Sequence, residues 1–130
     1  MRIAVCGPYR EEVISKVEKA FGITAKKPEL VVNGDSQIID YAAETYKYLD
    51  EENVVFDGSA FDFLTQEKGD GYDDVYEQIA LNTLGNLDYI AVITSDMDRN
   101  LHKMYYEYQK LFQEKFRIYS VPSDFELTLN

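Results

Sequence analysis

The chain has 130 residues, and 24 acidic against 13 basic side chains leave it a formal charge of −11 at pH 7. That length makes one domain able to bury a core without disulfide or metal staples, and 45% apolar with 14% aromatic residues is the composition of a folded globular chain. So much negative charge excludes plain electrostatic capture by nucleic-acid backbones or anionic membranes, which require a basic footprint. Cys6 is the single cysteine, so neither an intrachain disulfide nor a cysteine-rich metal site is available. The apolar run Ile3 to Cys6 is too short for a signal-peptide core or a membrane span. The expectation is a soluble, cytoplasmic, single-domain protein with no metal site and no nucleic-acid or membrane partner.

In chain order, short apolar runs alternate with longer amphipathic stretches, the pattern of an α/β domain with a mostly parallel sheet. Ile3 to Cys6 reads as a strand covered on both faces, stopped by the turn pair Gly7-Pro8. Arg10 to Phe21 spaces Val13, Val17, Ala20 and Phe21 as a helix does, with Gly22 as its left-handed stop. Leu30 to Val32 reads as a second strand, followed by the Asn33-Gly34 turn, a cap at Asp35 or Ser36, and a helix whose apolar face runs from Ile38 to Leu49. Asn53 to Phe56 is a third strand, ending at Asp57-Gly58. A short helical piece over Ala60 to Gln66, a loop at Glu67 to Gly71 and a helix from Asp73 to Leu84 come next. Tyr89 to Thr94 is the cleanest strand. Ser95 to Asp98 supplies caps for a helix carrying Leu101, Met104, Tyr105, Tyr108, Leu111 and Phe112 on one face, and Phe116 to Val121 is the last strand before Pro122. The expected architecture is three layers: a parallel five-stranded sheet, right-handed crossovers and helices on both faces. Ligands in such sheets bind beyond the carboxyl ends of strands, which singles out Gly7 to Glu12, Asp57 to Asp62 and Thr94 to Arg99.

The third-strand segment reads Val54-Val55-Phe56-Asp57-Gly58-Ser59-Ala60-Phe61-Asp62-Phe63-Leu64. With the opening strand, the Gly-Pro turn and the helix ending at Gly22, it resembles the P-loop nucleoside and nucleotide kinases, including the small ATPases related to deoxynucleoside kinases. That family carries an aspartate, arginine, serine triplet at this strand end, followed by an apolar residue, aspartate and phenylalanine. The resemblance implies a P-loop-kinase-like fold and a site in which Asp57 and Asp62 act on substrate or metal. Gly7, Arg10, Ser15, Ser59 and Arg99 would then hold nucleotide, with ATP and Mg²⁺ as cofactors if phosphoryl transfer survives.

The chain departs from the family where catalysis would sit. A phosphate loop needs a second glycine, a lysine for the β- and γ-charges and a hydroxyl for Mg²⁺. Counted from Gly7, those positions are Glu12, Val13 and Ile14, and Gly58 replaces the triplet's arginine. Lys16 lies four positions past Glu12 and should point away from the loop. Glu11 and Glu12 also place two carboxylates in a first helical turn, where free N–H groups would otherwise favour phosphate. The main expectation is therefore a kinase-like domain with a degenerate phosphate loop, acting as a binding or regulatory module with at most weak nucleotide binding. An active small kinase with a divergent site is one alternative. A nucleoside 2-deoxyribosyltransferase is another, because Cys6-Gly7-Pro8-Tyr9 is similar to that family's opening strand, Gly-Pro turn and aromatic.

Asp57 and Ser59 also suit a helix cap, as do Asp96 and Asp98. His102, the lone histidine, is expected on the surface. Of the eleven tyrosines, Tyr41, Tyr46, Tyr48, Tyr105, Tyr106 and Tyr108 lie on two expected helices and cannot all face one core, since adjacent positions differ by about 100° around the axis. Exposed tyrosines suit a protein partner or self-association; tyrosines at a core edge are the alternative.

Overall fold

The computed structural model describes residues 1–27, 47–48, 50–59 and 84–126. Its elements are β1 (Arg2–Cys6), α1 (Arg10–Phe21), β2 (Val54–Asp57), β3 (Tyr89–Ile93), α2 (Arg99–Leu111), β4 (Phe116–Tyr119) and a 3₁₀ turn (Pro122–Asp124). The four strands form one parallel sheet in the order β2-β1-β3-β4. The strand expected at Leu30–Val32, the helix face from Ile38 to Tyr46, the helical piece from Ala60, the loop at Glu67–Gly71 and nearly all of the helix from Asp73 lie outside the described residues, whereas Lys47 and Tyr48, expected near the end of the second helix, form a turn. Leu84, Gly85 and Asn86 are helical. Lys26 bridges to Phe56 in parallel sense, so the outer edge of β2 is already paired just after α1.

Both pleats of the sheet are apolar because both are covered. Ile3, Val5, Val55, Ala91 and Ile93 face α1, which inserts Val13, Ile14 and Val17. Ala4, Cys6, Val54, Phe56, Ile90 and Val92 face the other way, toward Leu101, Tyr105 and Tyr108 of α2. Each fully buried valine or isoleucine contributes about 1.5–3 kcal/mol relative to exposure, so these two stripes fix the layer order. α1 ends where the sequence indicates: Gly22 adopts φ 65° and its amide donates to the Glu18 carbonyl.

Several boundaries and exposures differ from the sequence reading. β4 stops at Tyr119 instead of Val121, because its partner β3 ends at Ile93 and Pro122 begins a tight turn. Leu111 is 61% exposed, and Phe112 packs against the core in its place, closer to the stripe of Leu101, Tyr105 and Tyr108. His102 is half-buried, its ring edge-on to Tyr106 with centroids 4.8 Å apart. Tyr105 and Tyr108 are core residues whereas Tyr106 is exposed, as the helical spacing requires. Tyr48 is half-buried against Phe56, with the Lys26 ammonium 5.0 Å from its ring centre. Tyr41 and Tyr46 lie outside the described residues. Among the described residues no helix is long and apolar enough to cross a membrane.

Candidate functional site at the carboxyl edge of the sheet

From β1 the chain passes to β2 on one side and to β3 on the other, so the carboxyl ends of β1 and β3 flank a topological switch point, where open α/β sheets bind ligands. Gly7, Pro8 and Tyr9 alone link β1 to α1, and the Arg10 amide closes this turn on the Gly7 carbonyl at 3.2 Å. Gly7 has φ 108°, and a Cβ there would lie 2.0 Å from the Ile93 carbonyl oxygen, so only glycine lets the turn press against β3.

Arg10, the first residue of α1, lies on the same face of the sheet as Asp57, which follows Val55 by one pleat and sits opposite Val5. Arg10 Nε donates to Asp57 Oδ1 at 2.7 Å, and its Nη1 to the Gly7 carbonyl at 3.2 Å. The same Asp57 oxygen accepts the Ser59 amide at 2.9 Å. The cap expected of Asp57 and the ion pair that it makes with Arg10 therefore fall on one oxygen. Burial alone would raise the Asp57 pKa, but the Ser59 amide, the Arg10 guanidinium and the Ser59 hydroxyl outweigh it and hold the carboxyl below its ordinary value.

On the other side of the turn, Tyr9 Oη donates to Asp96 Oδ2 at 2.6 Å. That bond, then the Asp96 charge, raises the Tyr9 pKa. Asp96 has φ 55°, a left-handed backbone uncommon outside glycine. Asp98, not Asp96, caps α2, accepting the Asn100 and Leu101 amides at 2.9 and 3.3 Å.

Of the residues singled out from the sequence, Gly7, Arg10, Asp57 and Ser59 thus come together. Ser15 stands exposed on α1, Arg99 is exposed at the start of α2, and Asp62 lies outside the described residues. Lys16 turns from the β1–α1 turn as expected and donates to the Pro122 carbonyl at 3.3 Å. Glu12 is exposed, whereas Val13 and Ile14 are buried beneath the sheet. Gly58 has its own steric reason: a Cβ there would lie 2.3 Å from Cys6 Sγ and 2.6 Å from the Val5 carbonyl oxygen. The Tyr9–Asp96 contact was not foreseen. Both residues follow strand ends, but only the strand order makes those ends neighbours.

Among the described residues, no group of three or more histidine, cysteine, aspartate or glutamate side chains is arranged to hold a metal ion. No protein-family model matches the chain, and no curated protein or solved structure matches it.

Proposed function

We propose that the chain is a kinase-like α/β domain lacking a working phosphate loop, serving as a binding or regulatory module through protein contacts and holding nucleotide weakly at most. The observation that carries this reading is the fate of the two positions where a phosphate loop needs its lysine and hydroxyl. They are Val13 and Ile14, 0% and 6% exposed, and both pack under the sheet. A core position of that kind cannot present an ammonium or a hydroxyl to a phosphate without emptying the core.

Two further features support it. A three-residue turn leaves no run of backbone amides to curl around phosphates. Charge along the segments that follow these strands is also unfavourable: they carry Glu11, Glu12, Asp57, Asp96 and Asp98 against Arg10 and Arg99, and Asp57 already pairs with Arg10. A triphosphate would meet net repulsion.

Calorimetric titration with ATP and Mg²⁺ tests the reading. The expected result is no saturable heat below about 1 mM nucleotide, equivalent to less than about 4 kcal/mol of binding free energy. A saturable isotherm in the micromolar range overturns it. An active kinase using Arg10, Ser15, Asp57, Asp62 and Arg99 would then become the better account.

A further inference from the structure

The two segments that flank the switch point differ in how firmly they are held. The β1–α1 turn has little freedom: Gly7 is wedged against the Ile93 carbonyl, Pro8 has a ring-locked φ, and Arg10 is tied to Asp57 and to the Gly7 carbonyl. The facing segment, Thr94 to Asp98, is held by the Thr94 amide on the Tyr119 carbonyl, by the Ser95 hydroxyl on the Ser120 carbonyl at 2.5 Å, and by Asp98, which caps α2. It makes a four-residue turn closed by the Met97 amide on the Thr94 carbonyl at 3.0 Å. The third residue of this turn is Asp96, at φ 55°. Glycine and asparagine lead at the third position of a turn of that hand, and aspartate enters it at a modest backbone cost that a side-chain contact can offset. What reaches Asp96 across the switch point is the Tyr9 hydroxyl, at 2.6 Å.

We propose that Tyr9 and Asp96 form a latch across the switch point. While the hydroxyl bond is made, Asp96 stays left-handed and the Thr94–Met97 turn lies against the fixed β1–α1 turn. When the bond breaks, Asp96 relaxes to an ordinary backbone region, the turn opens, and the edge beside the carboxyl ends of β1 and β3 is uncovered. Tyr9 is 40% exposed, so the latch is within reach of a partner that offers its own acceptor to the hydroxyl. This inference is independent of the nucleotide reading, since it concerns only what holds that edge closed.

Amide hydrogen exchange followed by NMR tests the latch, with Met97 as the reporter amide. The Gly58 amide on the Val5 carbonyl and the His102 amide on the Asp98 carbonyl serve as controls. Tyr9→Phe keeps the ring and removes the donor. It is expected to speed Met97 exchange about five- to tenfold, the factor set by one hydrogen bond of roughly ordinary net strength, and to leave both controls within about twofold. Asp96→Gly removes the acceptor and the backbone strain together. In that background the turn needs no latch, and adding Tyr9→Phe is expected to change Met97 exchange by less than about twofold. Unchanged Met97 exchange in Tyr9→Phe overturns the proposal. So does an equal acceleration with and without Asp96, because the hydroxyl would then be acting through another group.

Discussion

Gly58→Ala is the substitution whose cost can be worked most directly from the geometry. The added methyl would sit 2.3 Å from Cys6 Sγ and 2.6 Å from the Val5 carbonyl oxygen, whereas ordinary contact begins near 3.4 Å. Neither neighbour is a flexible side-chain end: Cys6 is fully buried in β1, and Val5 presents backbone. Relief requires the carboxyl ends of β1 and β2 to separate by about 1 Å, which also strains the 2.7 Å bond from the Gly58 amide to the Val5 carbonyl. Overpacking of this kind costs about 1–3 kcal/mol, and weakening a buried backbone hydrogen bond adds about 1 kcal/mol. The expected total, about 3 kcal/mol, corresponds to a fall in Tm of roughly 10 °C for a domain this size. Urea unfolding at pH 7 with an unchanged m value measures it. Cys6→Ala relieves the sulfur contact alone, so the double variant should lie at least about 1 kcal/mol above the sum of the single effects. A loss below about 0.5 kcal/mol for Gly58→Ala, or strict additivity with Cys6→Ala, refutes the steric reasoning. An arginine placed at position 58 meets the same wall, since it begins with the same Cβ.

The remaining predictions concern pH. The Asp57 carboxyl titrates below its ordinary value in the folded chain, so its contribution is complete above the unfolded value and is lost as pH falls through the folded one. The acid limb of wild-type stability between about pH 5 and pH 2 should therefore be steeper than that of Asp57→Asn, measured by urea midpoints; parallel limbs would exclude the role given to the Arg10 pair. Tyr89 behaves oppositely in pH. Burial first, then the neighbouring Tyr119 and Asp88, push its hydroxyl up to about 12 from 10.0, against the opposing pull of Arg117. Stability from the neutral ring is thus full below pH 10 and lost as pH rises toward 12, a difference of about 2–3 kcal/mol. Tyr89→Phe should lack this alkaline loss, as monitored by circular dichroism at pH 9 to 12, and an identical alkaline midpoint would refute the assignment.

Local chemistry made much of the fold legible. Arg10 to Phe21 carries a helical apolar stripe with a glycine stop, and α1 spans those residues. β1 and β3 are continuous apolar runs because both their faces are covered, so periodicity located them and could not say which pleat met which helix. The strand order left no local trace in the sequence. Without it, Asp57 beside Arg10 and Asp96 beside Tyr9 are pairs 47 and 87 residues apart that no spacing rule connects. His102 misled for a related reason. A single polar residue between Leu101 and Lys103 suits a solvent face, yet in the structure His102 is half-buried with its ring edge-on to Tyr106.

Gly58 shows how the same residue changes meaning with its level of description. Beside the kinase motif it reads as a lost arginine; in the sheet it is the residue that lets β2 close against Cys6 and Val5. Close packing there brings the Asp57 carboxylate next to the end of β1, where Arg10 meets it. Arg10, the cation at the start of α1, is thereby committed to an internal carboxylate and does not offset Glu11, Glu12, Asp96 and Asp98 in the segments that follow β1 and β3. Under the proposed reading, the excess acidity of the chain therefore acts at this edge as a filter. Polyanions would be repelled and a partner presenting a cationic surface would be steered in, with an association rate that falls as salt is added.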